Sequence, residues 1–352
     1  AIQHYIAMQC DGIEPNIVTF ITLLKACSSI AALGQGRLCH SHIINNGFNL
    51  DVYVGSALID MYTKCGCLEE ACIVFHMLPK RDTVVWSAMI NGYAQHSDYE
   101  SALCYFDAMQ QAGIEPDAVT FLNILSACGN ALLVHEGCSH LKSMIEIYNI
   151  IPAIEHLNCI VDLLGNAKLL NEAIDLLESI PFRSNIVGWM SLLSSCRMHA
   201  NVEIGRNCFD YIVTVNKENV ACFVLMSSIY TSVGMKSHAK MIDDLRLVSN
   251  GWKKPGKAYI EVDDVVHSFT VDEKHHGKTE NIYAKLKELN MKMKIAGHRS
   301  YTDLTSGGRD ENVLCGHCEK LALAFGLLYT PQGTSIRISK HLRMCPICHS
   351  DI

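Results

Sequence analysis

Apolar residues recur along this chain at helical spacing, in short blocks broken by glycine or polar turns. In residues 52–82, Leu58, Ile59, Met61 and Tyr62 crowd one turn. Lys64-Cys65-Gly66 then interrupts the pattern, and Glu69-Glu70-Ala71-Cys72-Ile73-Val74-Phe75 resumes it before Pro79. Two periodic blocks with a glycine break between them predict a pair of short helices joined by a turn. The Leu, Ala and Cys stripes on these helices read as packing faces. One such pair cannot bury its own apolar face, so neighbouring pairs must stack.

The blocks are copies of one another. Ile13-Glu14-Pro15-Asn16 with Val18-Thr19-Phe20 returns 101 residues later as Ile114-Glu115-Pro116-Asp117 with Val119-Thr120-Phe121. Leu24-Lys25-Ala26-Cys27 returns as Leu125-Ser126-Ala127-Cys128 at the same offset, and as Leu193-Ser194-Ser195-Cys196 a further 68 on. The stretch from Ala57 to Ala71 recurs from Cys159 to Ala173, 102 residues later. These offsets resolve into units of 35, 31, 35, 36 and 32 residues, which predicts an all-α helix-turn-helix solenoid. The units are a partial repeat ending at Asn16, then 17–51, 52–82, 83–117, 118–153 and 154–185. Residues 186–252 read as two degenerate repeats. The pattern changes in 253–352: Glu280–Met293 and Lys320–Leu328 have helical spacing, whereas Ser335–Ser339 alternates like a strand. A smaller α/β domain is expected there.

Composition narrows the classes. With 352 residues, 49% hydrophobic and 18% charged, the chain folds and exceeds a single compact core. It carries 29 basic and 36 acidic side chains; residues 1–252 hold 14 and 24 of them, net −10, and residues 253–352 the remaining 15 and 12, net +3. An acidic array is a poor match for binding driven by phosphate neutralisation. No apolar run approaches the roughly 18 residues of a membrane span, so no membrane partner is expected. The 17 cysteines are scattered through helical patterns and read mostly as small buried hydrophobes. The chain starts at Ala1 in what reads as mid-helix and is expected to be a fragment.

Candidate chemistry lies in the tail. His317-Cys318-Glu319 is followed, after 25 intervening residues, by Cys345-Pro346-Ile347-Cys348-His349. H-x-E with a later C-x-x-C is a zinc-deaminase arrangement. One imidazole and two thiolates leave an open position on the metal, and the glutamate carries protons. Cys315-Gly316-His317-Cys318 is itself a C-x-x-C, so Cys315, Cys318, Cys345 and Cys348 could instead form a closed structural zinc site. Spacing alone weighs the two equally. His275-His276 reads as an exposed loop before a helix, and Lys285, Lys287, Lys292 and Lys294 as a solvated helix face. No phosphate-binding glycine motif occurs, so no nucleotide cofactor is expected.

The alternating unit lengths resemble the pentatricopeptide-repeat family in its plant form with long, short and standard repeats. Gly316-His317-Cys318-Glu319-Lys320-Leu321-Ala322 and Leu342-Arg343-Met344-Cys345 to Cys348-His349 resemble the cytidine-deaminase-like domain named for a terminal Asp-Tyr-Trp. Pro255-Gly256 through Ile260-Glu261-Val262 resembles the box that opens that domain. Family members carry Ser at the position of Cys318, which favours the deaminase arrangement over the four-cysteine one. The chain ends at Ile352, before the family's final stretch, so His349 would lack its partners for a second zinc.

The resemblance implies sequence-specific binding of single-stranded organellar RNA by the repeats. It also implies cytidine-to-uridine editing by a zinc-dependent domain, with Glu319 catalytic and His317, Cys345 and Cys348 on the metal. An adaptor that binds RNA and recruits a deaminase in trans is the alternative. A protein-binding solenoid is a third reading. Other editing factors are expected partners, and the mitochondrion, or else the chloroplast, is the expected location. In the family, the fifth and final residues of standard and short repeats read one base. Here these are Ser56 and Asp82, Ser87 and Asp117, and Asn158 and Asn185. The first two pairs resemble a guanine code and the third a pyrimidine code. Ile21 and Leu122 occupy the fifth position of the long repeats, where a hydrocarbon cannot hydrogen-bond a base edge.

Overall fold

The computed structural model describes residues 2–179, 185–248, 256–263, 265–271, 276–295 and 317–340. They fall into two compact units, one formed by Ala1–Arg81 with Lys254–Ile352 and the other by Asp82–Lys253. The first opens with helices α1 (Ile2–Cys10), α2 (Ile17–Ile30), α3 (Leu33–Asn45), α4 (Val52–Lys64) and α5 (Leu68–Met77). The second contains α6 (Thr83–Gln95), α7 (Tyr99–Gln111), α8 (Ala118–Ala131), α9 (Val134–Glu146), α10 (Ile154–Asn166), α11 (Leu170–Ser179), α12 (Ile186–Met198), α13 (Val202–Val215), α14 (Val220–Ser232) and α15 (Lys236–Val248).

Local sequence sets these ends. Asn16, Asp51, Asp82, Asp98, Asp117, Asn185 and Asn201 each cap a helix by accepting a first-turn N–H on the side chain, an arrangement typically worth about 1 kcal/mol. The break at Lys64-Cys65-Gly66 is a turn with Gly66 at φ 74°, a left-handed conformation open to glycine without a Cβ penalty.

Within each unit, the first helix of a pair packs on its partner and on the first helix of the next pair. Thus α2 contacts α3 and α4, while α6, α8, α10, α12 and α14 form a continuous row. The apolar stripes face these contacts. Phe20, Leu24, Leu58, Ile59, Phe121, Leu125, Leu192 and Leu193 are fully buried, and truncating such a leucine to alanine typically costs 2–5 kcal/mol. Cys27, Cys39, Cys128, Cys196 and Cys208 lie in the same cores as unpaired thiols, as their scatter through helical patterns anticipates.

The remainder of the first unit is α/β. Strands β1 (Lys257–Val262), β2 (Val265–Thr270) and β3 (Ile338–Lys340) form an antiparallel sheet in the order β2-β1-β3. Ala258 pairs with Phe269 on one side and with Lys340 on the other. Helices α16 (Thr279–Ile295) and α17 (Cys318–Tyr329) cover the sheet over a core of Ala258, Ile260, Phe269, Leu286, Leu321 and Phe325. The strand pattern at 335–339 enters the sheet only from Ile338; Ile336 packs against the core without strand pairing. On α16, Lys285 and Lys292 flank Glu288 at 3.0 and 2.6 Å on a solvated face. His276 is half-buried rather than loop-exposed, because its ring packs between Phe269 and Phe325 and meets the His267 ring at 3.3 Å. His275 lies outside the described residues.

Candidate functional site

Two groups of residues carry candidate chemistry. The first recurs along the repeats. Asp82 and Asp117 are helix caps, accepting from the N–H of Val85 (3.0 Å) and of Thr120 (2.8 Å). Ser87 sits on α6, buried, with its hydroxyl 2.7 Å from that of Thr120. Ser56 is half-buried on α4. Asn158 and Asn185 stand at opposite ends of one repeat, yet Asn185 Nδ2 donates to Asn158 Oδ1 at 2.6 Å. Asn185 Oδ1 accepts the Gly188 N–H at 3.1 Å. That cap fixes which way the Asn185 amide points, so its NH2 must face Asn158. Ile21 and Leu122 are half-buried.

A second ladder escaped the sequence reading. Val18, Tyr53, Val84, Val119 and Val187, each the second residue of its helix, are 69%, 71%, 56%, 55% and 67% exposed. Large apolar side chains left in water at one repeated position suit a flat apolar ligand. The signal was present in the repeated Val-Thr-Phe, where Phe20 and Phe121 are buried and the valines are not.

The second group starts at the amino end of α17. His317 is the N-cap residue, and Glu319, two residues on, is 1% exposed. The Glu319 carboxylate is clasped from both sides: Oε1 takes a hydrogen bond and ion pair from Lys340 Nζ on β3, and Oε2 accepts from Cys318 Sγ at 3.2 Å. Burial pushes the Glu319 carboxyl up, but the Lys340 ammonium, a backbone bond and the Cys318 thiol outweigh it, holding the group below its ordinary value. The Cys318 thiol is pushed up to about 12 by burial and by the neighbouring carboxylate, so it stays protonated and donates.

Cys315, Cys345, Cys348 and His349 lie outside the described residues. Of the expected metal ligands, the described residues hold His317. One imidazole with two thiols is a zinc donor set, and Glu319 follows His317 by two residues in the first turn of α17. Lys340, whose pairing with Glu319 depends on the register of β3, was not singled out from sequence. The only signal was its place at the end of an alternating stretch.

The fold and this carboxylate define a helical-repeat protein with a deaminase-type domain, and comparison with known proteins bears this out. Residues 298–352 match the DYW family of nucleic acid deaminases. Residues 81–130 match the PPR repeat family, 6–30 the pentatricopeptide repeat domain and 56–82 the PPR repeat. Among the relatives, the Arabidopsis thaliana pentatricopeptide repeat-containing protein At1g20230 is 38% identical over 98% of this chain and 46% of its own length. The chloroplastic protein ELI1 of the same plant is 37% identical over 96% of this chain and 54% of its own. The chain spans about half the length of the curated relatives it matches. Among solved structures, PPR10 in complex with an 18-nucleotide psaJ RNA element aligns with 71% of this chain and 42% of PPR10, at 16% identity and a TM-score of 0.49. The chain belongs to the plant pentatricopeptide-repeat family, with a DYW-type deaminase segment at its carboxy-terminal end.

Proposed function

We propose that the protein binds single-stranded RNA in a plant organelle through its repeats and that its carboxy-terminal domain converts one cytidine of that RNA to uridine. The observation that carries the reading is the contact between Asn158 and Asn185. Because the Asn185 oxygen caps α12 and its NH2 faces Asn158, the Asn158 amide is left with its own NH2 to offer. Donors suit the adjacent acceptors N3 and O2 of cytosine better than uracil, whose N3 carries a hydrogen. At 83–117, Asp117 offers a carboxylate oxygen that can only accept, which suits the N–H groups of guanine. The exposed ladder at Val84, Val119 and Val187 supplies apolar surface for the faces of bases, so an acidic array can bind RNA through bases more than through phosphates. Names of relatives such as ELI1 include the word chloroplastic, which supports an organelle; the mitochondrion remains an expectation from sequence.

In the domain, His317, Cys345 and Cys348 would hold zinc, which when bound acts as a Lewis acid and lowers the pKa of a coordinated water. Glu319 is ionised at neutral pH, since Lys340 and Cys318 stabilise its charged form. It can therefore accept a proton at a carboxylate oxygen and pass it to the base ring, then accept a second and pass that one to the departing amine. Burial of Glu319 excludes bulk water from that transfer.

With Ser56 and Asp82 reading guanine, Ser87 and Asp117 guanine, and Asn158 and Asn185 a pyrimidine, the RNA reads G, G, any base, pyrimidine, three unspecified bases and the edited C. Sequencing the organellar transcripts of a plant lacking this protein tests the proposal. One cytidine behind such a sequence is expected to stay unedited, and complete editing at every such site would overturn it.

A further inference from the structure

Thr120 is the third residue of α8 and belongs to the repeat after the one in which Ser87 and Asp117 stand. It is fully buried. Its N–H and its hydroxyl both donate to Asp117 Oδ1, each at 2.8 Å, and its hydroxyl oxygen accepts the Asp117 N–H at 3.2 Å. The Ser87 hydroxyl lies 2.7 Å from the same oxygen.

Proton counting decides the direction of that last bond. A threonine hydroxyl has one hydrogen, and a carboxylate can only accept. Thr120 therefore gives its hydrogen to Asp117, and Ser87 must be the donor to Thr120. With its single hydrogen committed, Ser87 turns only lone pairs to any other partner. Asp117 Oδ1 is occupied and Oδ2 also offers lone pairs. Both members of the pair thus present acceptors. Guanine is the base whose pairing edge carries two adjacent donors, N1–H and the N2 amino group. Adenine would set its N1 lone pair against one of these oxygens.

We propose that Thr120 is a specificity-determining residue that acts by positioning: it fixes Ser87 as an acceptor and so restricts the base read by this pair to guanine. The proposal rests on the reading of the repeats as RNA-binding. It also explains a difference between repeats. The residue equivalent to Thr120 is Val85 after Asp82 and Gly188 after Asn185, and both serve the cap through the backbone alone. Neither valine nor glycine has a hydroxyl, so this positioning device is particular to the pair of 83–117.

The test uses this chain and short synthetic single-stranded RNAs, GGACAAAC and the same RNA with adenine at its second base. Thr120→Val keeps the shape and the backbone cap but removes the hydroxyl. Its guanine-over-adenine preference at the second base should fall by roughly five- to tenfold, the worth of about one hydrogen bond, with preference at the first base unchanged. Thr120→Ser should restore most of it. Ser87→Ala should lose a similar amount with Thr120 in place, and the double variant should lose no more than either single one. A full preference in Thr120→Val, or losses that add in the double variant, would overturn the proposal. So would failure of Thr120→Ser to restore the preference. Indifference of the parent protein to the second base would remove the RNA reading itself, and the Thr120 proposal with it.

Discussion

The repeats and the α/β domain bury polar groups in opposite ways. Among the described residues of the repeats, the buried polar side chains are hydroxyls, an amide and an imidazole: Ser28, Thr63, Ser87, Thr120, His156, Asn185, Ser195 and Ser227. Each is hydrogen-bonded, His156 for example to the Ala118 carbonyl at 2.8 Å and Ser195 to Asn166 at 3.2 Å. Among the described residues of the α/β domain the buried polar ones are charged, Glu319 and Lys320. Neutral groups with partners are cheap to bury and serve mainly to orient what they touch; an ionised carboxylate is expensive even when paired. The repeats are therefore built to hold donors and acceptors in fixed directions, which is what recognition needs. The domain holds a charged group out of water, which is what proton transfer needs.

The largest effect expected from this contrast is on chemistry. In a form extended with the carboxy terminus of its relatives, Glu319→Ala should lower cytidine deamination by about 10²–10⁴-fold, the usual worth of a general acid–base group. Zinc content and RNA affinity should stay near those of the parent. Undiminished deamination would break the comparison at its functional end.

Next comes stability. Lys340→Ala leaves Glu319 buried without its cation, which typically costs about 3–5 kcal/mol. The pH dependence has a definite sign. The folded-state pKa of Glu319 is depressed, burial being outweighed by Lys340, the backbone and Cys318. Its contribution is present above the unfolded pKa and disappears as pH falls through the folded one. The Lys340→Ala penalty should thus be largest at neutral pH and shrink in acid, where Glu319 is protonated in both states of the variant. Urea unfolding of parent and variant at pH 7 and near pH 4 measures it, and an equal penalty at both would refute the charged pair.

In the repeats the sensitive feature is close approach. A Cβ on Gly165 in α10 would stand 2.5 Å from Ser195 Oγ and 2.9 Å from Ser195 Cβ on α12. A Cβ cannot swing aside, and the Ser195 hydroxyl is committed to Asn166 and Ser191. Gly165→Ala should destabilise the Asp82–Lys253 unit by about 1–3 kcal/mol, even though alanine is the better helix former. Thermal melting with an unchanged midpoint would show that these two helices are less tightly fitted than the neutral polar network implies.

Much of this architecture is legible in the sequence, and for a physical reason. Repetition writes each helix and turn several times, so the recurring blocks disclose the helix pairs, and the structure adds Asn16, Asp51, Asp82 and Asp117 as their caps. The H-x-E spacing singles out His317 and Glu319, and the structure places both at the start of α17. What was not legible depends on contacts between distant segments. Lys340 meets Glu319 only through the register of β3 against β1. Ser87 meets Thr120 only because α6 lies beside α8. The exposed valines at the second helical position read as one more apolar residue until burial of their neighbours set them apart. His276 was misread as exposed because the aromatic slot that receives it comes from β2 and α17.

The smallest effect expected separates tight fit from mere proximity. A Cβ on Gly36 in α3 would lie 2.4 Å from Met61 Sδ and 2.9 Å from its Cε, closer on paper than any contact of Gly165. The neighbour here is the far end of an unbranched thioether, which adapts by rotating its terminal bonds. No oriented hydroxyl is displaced, and Met61 meets Cys65 only through a weak thiol contact at 3.9 Å. Replacing glycine by alanine inside a helix gains up to about 1 kcal/mol, which offsets the repacking of one methionine. Gly36→Ala should therefore shift stability by less than about 1 kcal/mol in either direction, whereas Gly165→Ala is clearly destabilising. Urea midpoints of the two variants measured side by side test the distinction. If Gly36→Ala proves as damaging as Gly165→Ala, distance alone governs these helix contacts and the chemistry of the displaced group does not.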